Sequence, residues 1–249
     1  MRASALILLT LFPAPAADYT LLDAQSVPLF GDPASAVVRV SVPEAVEEVR
    51  CDVLIAGAGM GGIGAALAAT ARGHSVCLTE ETDWVGGQAT AGGVSALDEN
   101  RFIEFAGGTR RYMRFREGIR QWYRTQRSLS PQARLWENLN PGSCYVSALC
   151  FEPKAGVDVL SAMLAHPKLT LYLRTAVVGI HRRGPAIESA LAWRFDRRAA
   201  IRFRARFVLD GTESGDLLPL AHIPYTVGAE AKSDTTEPDG AASANPACV

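Results

Sequence analysis

The chain has no apolar run of 18 residues or more, so it offers no obvious transmembrane span. It has no excess of charge: 25 Lys and Arg stand against 26 Asp and Glu, a net charge of −1 with the four His neutral. With an isoelectric point near 6.4, it gives no global argument for nucleic acid or a membrane surface as partner. Only five cysteines are present, and none forms a CxxC pair or another recognised metal spacing. His74, His166, His181 and His222 are scattered and also lack ligand spacing, so the sequence assigns no metal site. No suitable cysteine set for an iron–sulfur cluster is present, and no internal repeat points to a solenoid.

Against those absences one stretch stands out. Cys51-Asp-Val-Leu-Ile-Ala-Gly57-Ala-Gly59-Met-Gly-Gly62 is followed by an Ala-rich run to Arg72-Gly73, then by Val76-Cys-Leu-Thr-Glu80. Val53–Ala56 is a short continuous apolar run, the pattern of a parallel strand buried on both faces. Gly57 permits a tight turn, Gly59 lets a pyrophosphate approach the backbone, and Gly62 allows the helix to pack close to the sheet. The helix N-terminus then offers free N–H groups and the positive end of its dipole. Its Ala-rich body suits a helix lying tight on a sheet, and Gly73 ends it. Val76–Leu78 is a second buried strand, and Glu80, 18 residues past Gly62, is placed to reach ribose hydroxyls. An acid there disfavours a 2′-phosphate, so NADP fits poorly. A Gly-x-Gly-x-x-Gly set inside a whole βαβ unit is a specific dinucleotide signal. The competing structural account is an ordinary Gly-rich βα turn.

The N-terminus reads differently. Arg2, the apolar segment Ala5–Phe12 and the small residues Ala14 and Ala16 resemble a secretory signal peptide, 1–16, cut after Ala16. That implies an exported protein, periplasmic or extracellular. The alternative is a mis-assigned start or an apolar leader on a cytoplasmic protein. Residues 17–50 read as a leader segment broken by Pro28, Pro33 and Pro43, with one strand over Val37–Val42.

Beyond Glu80 comes a Gly-rich loop, Gly86-Gly87-Gln88-Ala89-Thr90. A helix is expected over 110–127, with Tyr112, Phe115, Ile119 and Trp122 toward a core. Arg116, Arg120, Arg124 and Arg127 form a ridge on another face. Eight Arg against two Glu over 101–127 suit either an anionic partner or a solvated helix face. Residues 128–153 read as a long loop. A helix near 157–165 and strands near 169–174, 177–181, 191–195 and 201–209 follow. Cys51 and Cys77 are expected as buried thiols. Cys144 and Cys150 are read as packed or free thiols, with a disulfide or a redox pair as alternatives. Residues 232–249 carry no folding pattern and are expected to be disordered.

On these motifs the chain resembles the N-terminal part of FAD-dependent oxidoreductases with the glutathione-reductase-type flavin fold, and within them the group linked to the flavin subunit of heterodisulfide reductase. The match runs through Gly57, Gly59, Gly62, Ala66, Gly73, Val76 and Glu80, then Gly86, Gly87, Gln88 and Thr90. It continues through Thr175-Ala176-Val177, where backbone groups would meet the adenine edge, and Val208-Leu-Asp210-Gly211-Thr212 with Gly215-Asp216, where a strand end would pass the cofactor. Tyr225–Pro238 also resembles an internal segment of that group. The third place of the strand-end motif departs from the family, with Glu213 where a Gly is usual.

The resemblance implies an α/β, Rossmann-like FAD/NAD(P)-binding domain over 51–231, with a parallel sheet, an additional β-rich crossover and an inserted helical and loop region at 101–156. It implies FAD as cofactor, hydride or electron transfer, and a small-molecule substrate. A late ribityl-binding motif and a substrate domain do not appear before Val249, so the chain reads as incomplete at the C-terminus, a truncated copy of a longer enzyme. An NAD-binding enzyme and a non-catalytic nucleotide-binding fragment are the alternative functions.

Overall fold

The computed structural model describes residues 19–21, 24–25, 37–42 and 46–245. The expected signal peptide, 1–16, and the breaks at Pro28, Pro33 and Pro43 lie outside the described residues. Strand β1 is Thr20–Leu21, β2 is Ala24–Gln25 and β3 is Val37–Val38. β2 and β3 form a small antiparallel pair, so the strand expected over Val37–Val42 is only two residues long.

The βαβ unit forms as its residues dictate. Strand β4, Glu47–Ala56, is buried along its last four residues. Val53 and Ile55 enter one apolar cluster while Leu54 and Ala56 enter another, the two-residue alternation of a strand covered on both faces. Helix α1, Met60–Ala71, follows, and Gly73 leaves it at φ 86°, a conformation glycine takes without strain. Strand β5, Val76–Thr79, is wholly buried beside β4.

Residues 80–168 form the long crossover. It contains α2 (Ile103–Ala106), α3 (Arg110–Gln126), α4 (Pro131–Leu135) and α5 (Pro153–Leu164). The segment 128–153, expected as a long loop, contains two helix starts at prolines. Pro131 and Pro153 stand in the first helical turn, where the missing N–H costs nothing. Ser130 caps α4 by accepting from the Ala133 N–H at 3.2 Å.

Strand β6, Leu169–Tyr172, extends the parallel sheet from β5. Strands β7, Thr175–Arg183, and β8, Ala186–Arg194, form a hairpin. Its turn is the two residues Gly184-Pro185, with Gly184 at φ 59° as such turns require. Strand β9, Ala199–Asp210, returns antiparallel to β8 and runs parallel to β4. The order is β1-β7-β8-β9-β4-β5-β6. The fold is thus α/β and Rossmann-like, with a parallel half and an antiparallel crossover half in one seven-stranded sheet. The three pairings β9-β4-β5-β6 are parallel.

One face packs Ile63 and Ala66 of α1, Phe115 and Ile119 of α3 and Leu160 of α5 against the sheet. The other face gathers Ile180, Ala190 and Phe203 with Leu217 and Leu220 of helix α6, Leu217–Leu220. Among the described residues no helix is long and apolar enough to cross a membrane.

The arginine ridge of α3 is solvated only toward its C-terminal end, where Arg127 is exposed; Arg116 and Arg120 are buried and paired within the chain. Arg116 is fully buried and pairs with Glu99 and Glu104; Arg120 pairs with Glu104 and donates to the Leu139 carbonyl at 3.1 Å. Arg124 donates to the carbonyls of Trp136 and Glu137, and Arg127 lies over the Trp122 ring and pairs with Glu152 at 2.7 Å. These bonds order much of the 128–153 segment. Within it Cys144 and Cys150 form a disulfide, in place of the packed or free thiols expected. Residues 232–245, where no pattern is legible, carry α7, Lys232–Thr235, and two isolated bridges, Ala229 to Asn245 and Ala231 to Ala241.

Candidate functional site

The parallel sheet reverses its direction of growth at β4: β5 lies on one side and β9 on the other. In open α/β sheets ligands bind at such a point, beyond the carboxyl ends of the strands. A cavity of about 610 Å³ opens there. Gly57, Gly59, Glu80, Gly87, Gln88, Val177 and Gly211 line it. Other residues of the same motifs do not. Gly62, Gly86, Thr90 and Asp210 stand behind the walls and shape them.

The backbone explains the glycines. Gly57 turns at φ 89°, and a Cβ there would overlap the main chain of Gly211, 2.6 Å from its carbonyl carbon. The ends of β4 and β9 are therefore in close contact, fixed by the Gly211 N–H donating to the Ala56 carbonyl at 2.7 Å. A Cβ on Gly62 would run into the Gly57 carbonyl, so only glycine lets α1 start so near the turn. Gly86, at φ 118°, donates its N–H to the Ala58 carbonyl at 2.8 Å and bridges Gly59. That contact brings Gly87 to the cavity floor. Thr90 is buried and ties the loop by donating from Oγ1 to the Val85 carbonyl at 2.7 Å.

Glu80 is only 6% exposed, yet it borders the cavity. Its Oε2 accepts from the Ala58 N–H at 3.1 Å, and its Oε1 accepts from the N–H and hydroxyl of Thr82 at 2.9 and 2.8 Å. A carboxylate takes more than these three bonds, so it keeps acceptor capacity. The Thr175 N–H donates to the Glu80 carbonyl at 2.8 Å, which sets the Thr175–Val177 segment beside the acid. Asp210 holds the strand-end loop: it accepts from the Thr212 N–H at 3.0 Å, the Thr212 hydroxyl at 2.7 Å and the Leu217 N–H at 2.9 Å.

Sequence reasoning missed part of this site. Thr82 anchors Glu80, and the signal for it is a hydroxyl two residues after the acid, where short-range side-chain bonds form. Glu81, Glu213 and Asp216 also line the cavity, which has no Lys, Arg or His in its lining among the described residues. The Glu81 carboxyl is raised above the usual range, first by desolvation and then by the charges of Glu80, Asp216 and Glu213. Asp216 is raised by burial and then by Asp210. Glu213 and Asp216 belong to the strand-end motif already read from the sequence, but no local signal brings them to Glu81, because the acids come from the ends of two separate strands.

A family model described as FAD dependent oxidoreductase matches residues 52–248. No curated protein sequence matches the chain. Among solved structures, the L-proline dehydrogenase of P. horikoshii is 23% identical with a TM-score of 0.38, over 68% of this chain and 24% of that one. A flavoprotein/dehydrogenase from Cytophaga hutchinsonii is 15% identical with a TM-score of 0.46, over 69% and 41%. The myxobacterial chondrochloren halogenase, an FAD-dependent halogenase, is 16% identical with a TM-score of 0.42, over 66% and 37%. The chain covers less than half the length of each of these proteins.

Proposed function

The chain belongs to the FAD dependent oxidoreductase family, and on that premise we propose that its cavity seats the adenosine and pyrophosphate half of FAD in a flavin-dependent oxidoreductase. The junction of β4 and β9 carries this reading. There, glycine backbone replaces side chains at Gly57, Gly59, Gly87 and Gly211, leaving a floor that a phosphate can approach. The donor chemistry fits as well: the first turn of α1 has no side-chain cap and no acid of its own, so its N–H groups and dipole are free to face an anion.

Each part of the chain then has a role. The N-terminus of α1 with Gly57 and Gly59 holds the pyrophosphate. Glu80, steadied by Thr82 and the Ala58 N–H, accepts from the ribose hydroxyls. Val177, beside it, offers backbone groups to the adenine edge. Gly87 and Gln88 border the route toward the flavin, and Gly86 and Thr90 hold that loop in place. Asp210 and Gly211 keep the strand end closed against Gly57. Bound FAD supplies the hydride or electron transfer, chemistry that ordinary side chains lack.

We also propose that residues 1–16 direct export. The Cys144–Cys150 disulfide supports this, since such bonds persist in oxidising compartments.

The test is purification followed by a visible spectrum. A yellow protein that releases FAD on denaturation is expected. A colourless protein that ignores added FAD but retains NAD would overturn the reading. Glu80→Ala is expected to weaken FAD binding about tenfold or more, as loss of a charged hydrogen-bond acceptor does; unchanged affinity in a titration refutes its ribose role.

A further inference from the structure

The anion seat at the start of α1 already holds an anionic group from this chain. Glu213 comes from the loop after β9, and its Oε1 lies 3.0 Å from the point where a Cβ on Gly59 would stand. The same oxygen is the nearest neighbour of a Cβ built on Gly87, and a Cβ there would meet the Gly59 Cα at 3.0 Å. The carboxylate therefore rests over the Gly59–Gly87 gap, at the glycine floor assigned above to the pyrophosphate.

Two features bear on how firmly it is held. The first turn of α1 has no acidic residue and no side-chain cap, so the positive end of the dipole is answered by nothing local. No hydrogen bond or salt bridge fixes the Glu213 carboxylate among the described residues, and the residue is exposed, so its side chain can rotate away at little cost. Its charged surroundings are acidic: Glu80, Glu81 and Asp216 line the same cavity.

We propose that Glu213 is a tethered anion that occupies the pyrophosphate seat and competes with the dinucleotide for it. The inference rests on the FAD reading. Binding then requires the Glu213 side chain to swing out of the seat, and affinity is lowered by the share of molecules in which it stays. The penalty falls on ligands that bring a pyrophosphate. A ligand that uses only the ribose and adenine positions does not feel it.

The experiment is calorimetric titration of the whole chain with FAD, ADP and adenosine. Wild type is compared with Glu213→Gln, which removes the charge but keeps the shape, and with Glu213→Gly, which also clears the space. Far-UV circular dichroism establishes that each variant is folded. FAD and ADP are expected to bind about tenfold tighter to both variants, more so to the glycine variant, with adenosine unchanged. Unchanged or weaker FAD and ADP binding in both variants overturns the proposal while leaving the FAD reading intact. An equal change for all three ligands also overturns it. Absence of FAD and ADP binding in wild type and both variants overturns the reading and the proposal together.

Discussion

Glu81 shows how closely single residues are coupled at the cavity rim. Desolvation and the charges of Glu80, Asp216 and Glu213 raise its pKa. A carboxyl with a folded pKa above its unfolded value binds more protons when folded. Its stabilising contribution is therefore complete below the ordinary glutamate range and is lost as pH rises through the raised folded value. At neutral pH an ionised Glu81 opposes folding. Glu81→Gln is expected to raise the thermal midpoint at neutral pH by a few degrees at most, and to lose that advantage at about pH 4. A gain that persists at the acid end would contradict the charge explanation. Asp216 shares the sign of the effect, with burial the first cause.

At the scale of elements, α3 is the piece that joins the inserted region to the sheet. Its apolar side, Phe115 and Ile119, lies in the core with α5, while its arginines reach outward into 99–152. Arg116 is the centre of that arrangement, fully buried between Glu99 and Glu104, with Tyr112 donating to Glu99. Removing one member of such a set leaves uncompensated buried charge. Arg116→Met is expected to destabilise the protein by about 3–5 kcal/mol, read as a fall in the urea midpoint. A variant within a few tenths of wild type would mean that the two glutamates find water instead. Helical spacing alone makes Arg116, Arg120, Arg124 and Arg127 a ridge. Whether a ridge faces solvent depends on what lies over it, here residues 99, 104, 136 and 152.

At the scale of the whole molecule, the proposed export and the disulfide make one joint prediction. Expressed in a host that exports it, the protein is expected to begin at Ala17. Cys144 and Cys150 are expected to resist alkylation until reduced, as peptide mapping by mass spectrometry would reveal. A retained leader together with two freely alkylated thiols would count against export.

The nucleotide unit was legible in the sequence because every part of it is local. A buried strand, a glycine turn, a small-residue helix and an acid lie within residues 51–80, and each is dictated by propensity, turn geometry and burial over a few neighbours. Helix α3 was legible for the same reason, through its 3.6-residue period. Tertiary structure alone decided the rest. It laid β9 parallel to β4, so that Gly211 closes on Gly57. It set Thr175–Val177 beside Glu80, buried Arg116 and Arg120 of the arginine ridge, joined Cys144 to Cys150 and carried Glu213 over Gly59. Most of these contacts link residues far apart in the chain, whose meeting depends on sheet order and the path of the connections rather than on any local pattern; even the nearby Cys144–Cys150 pair needs a loop shaped by contacts with other elements.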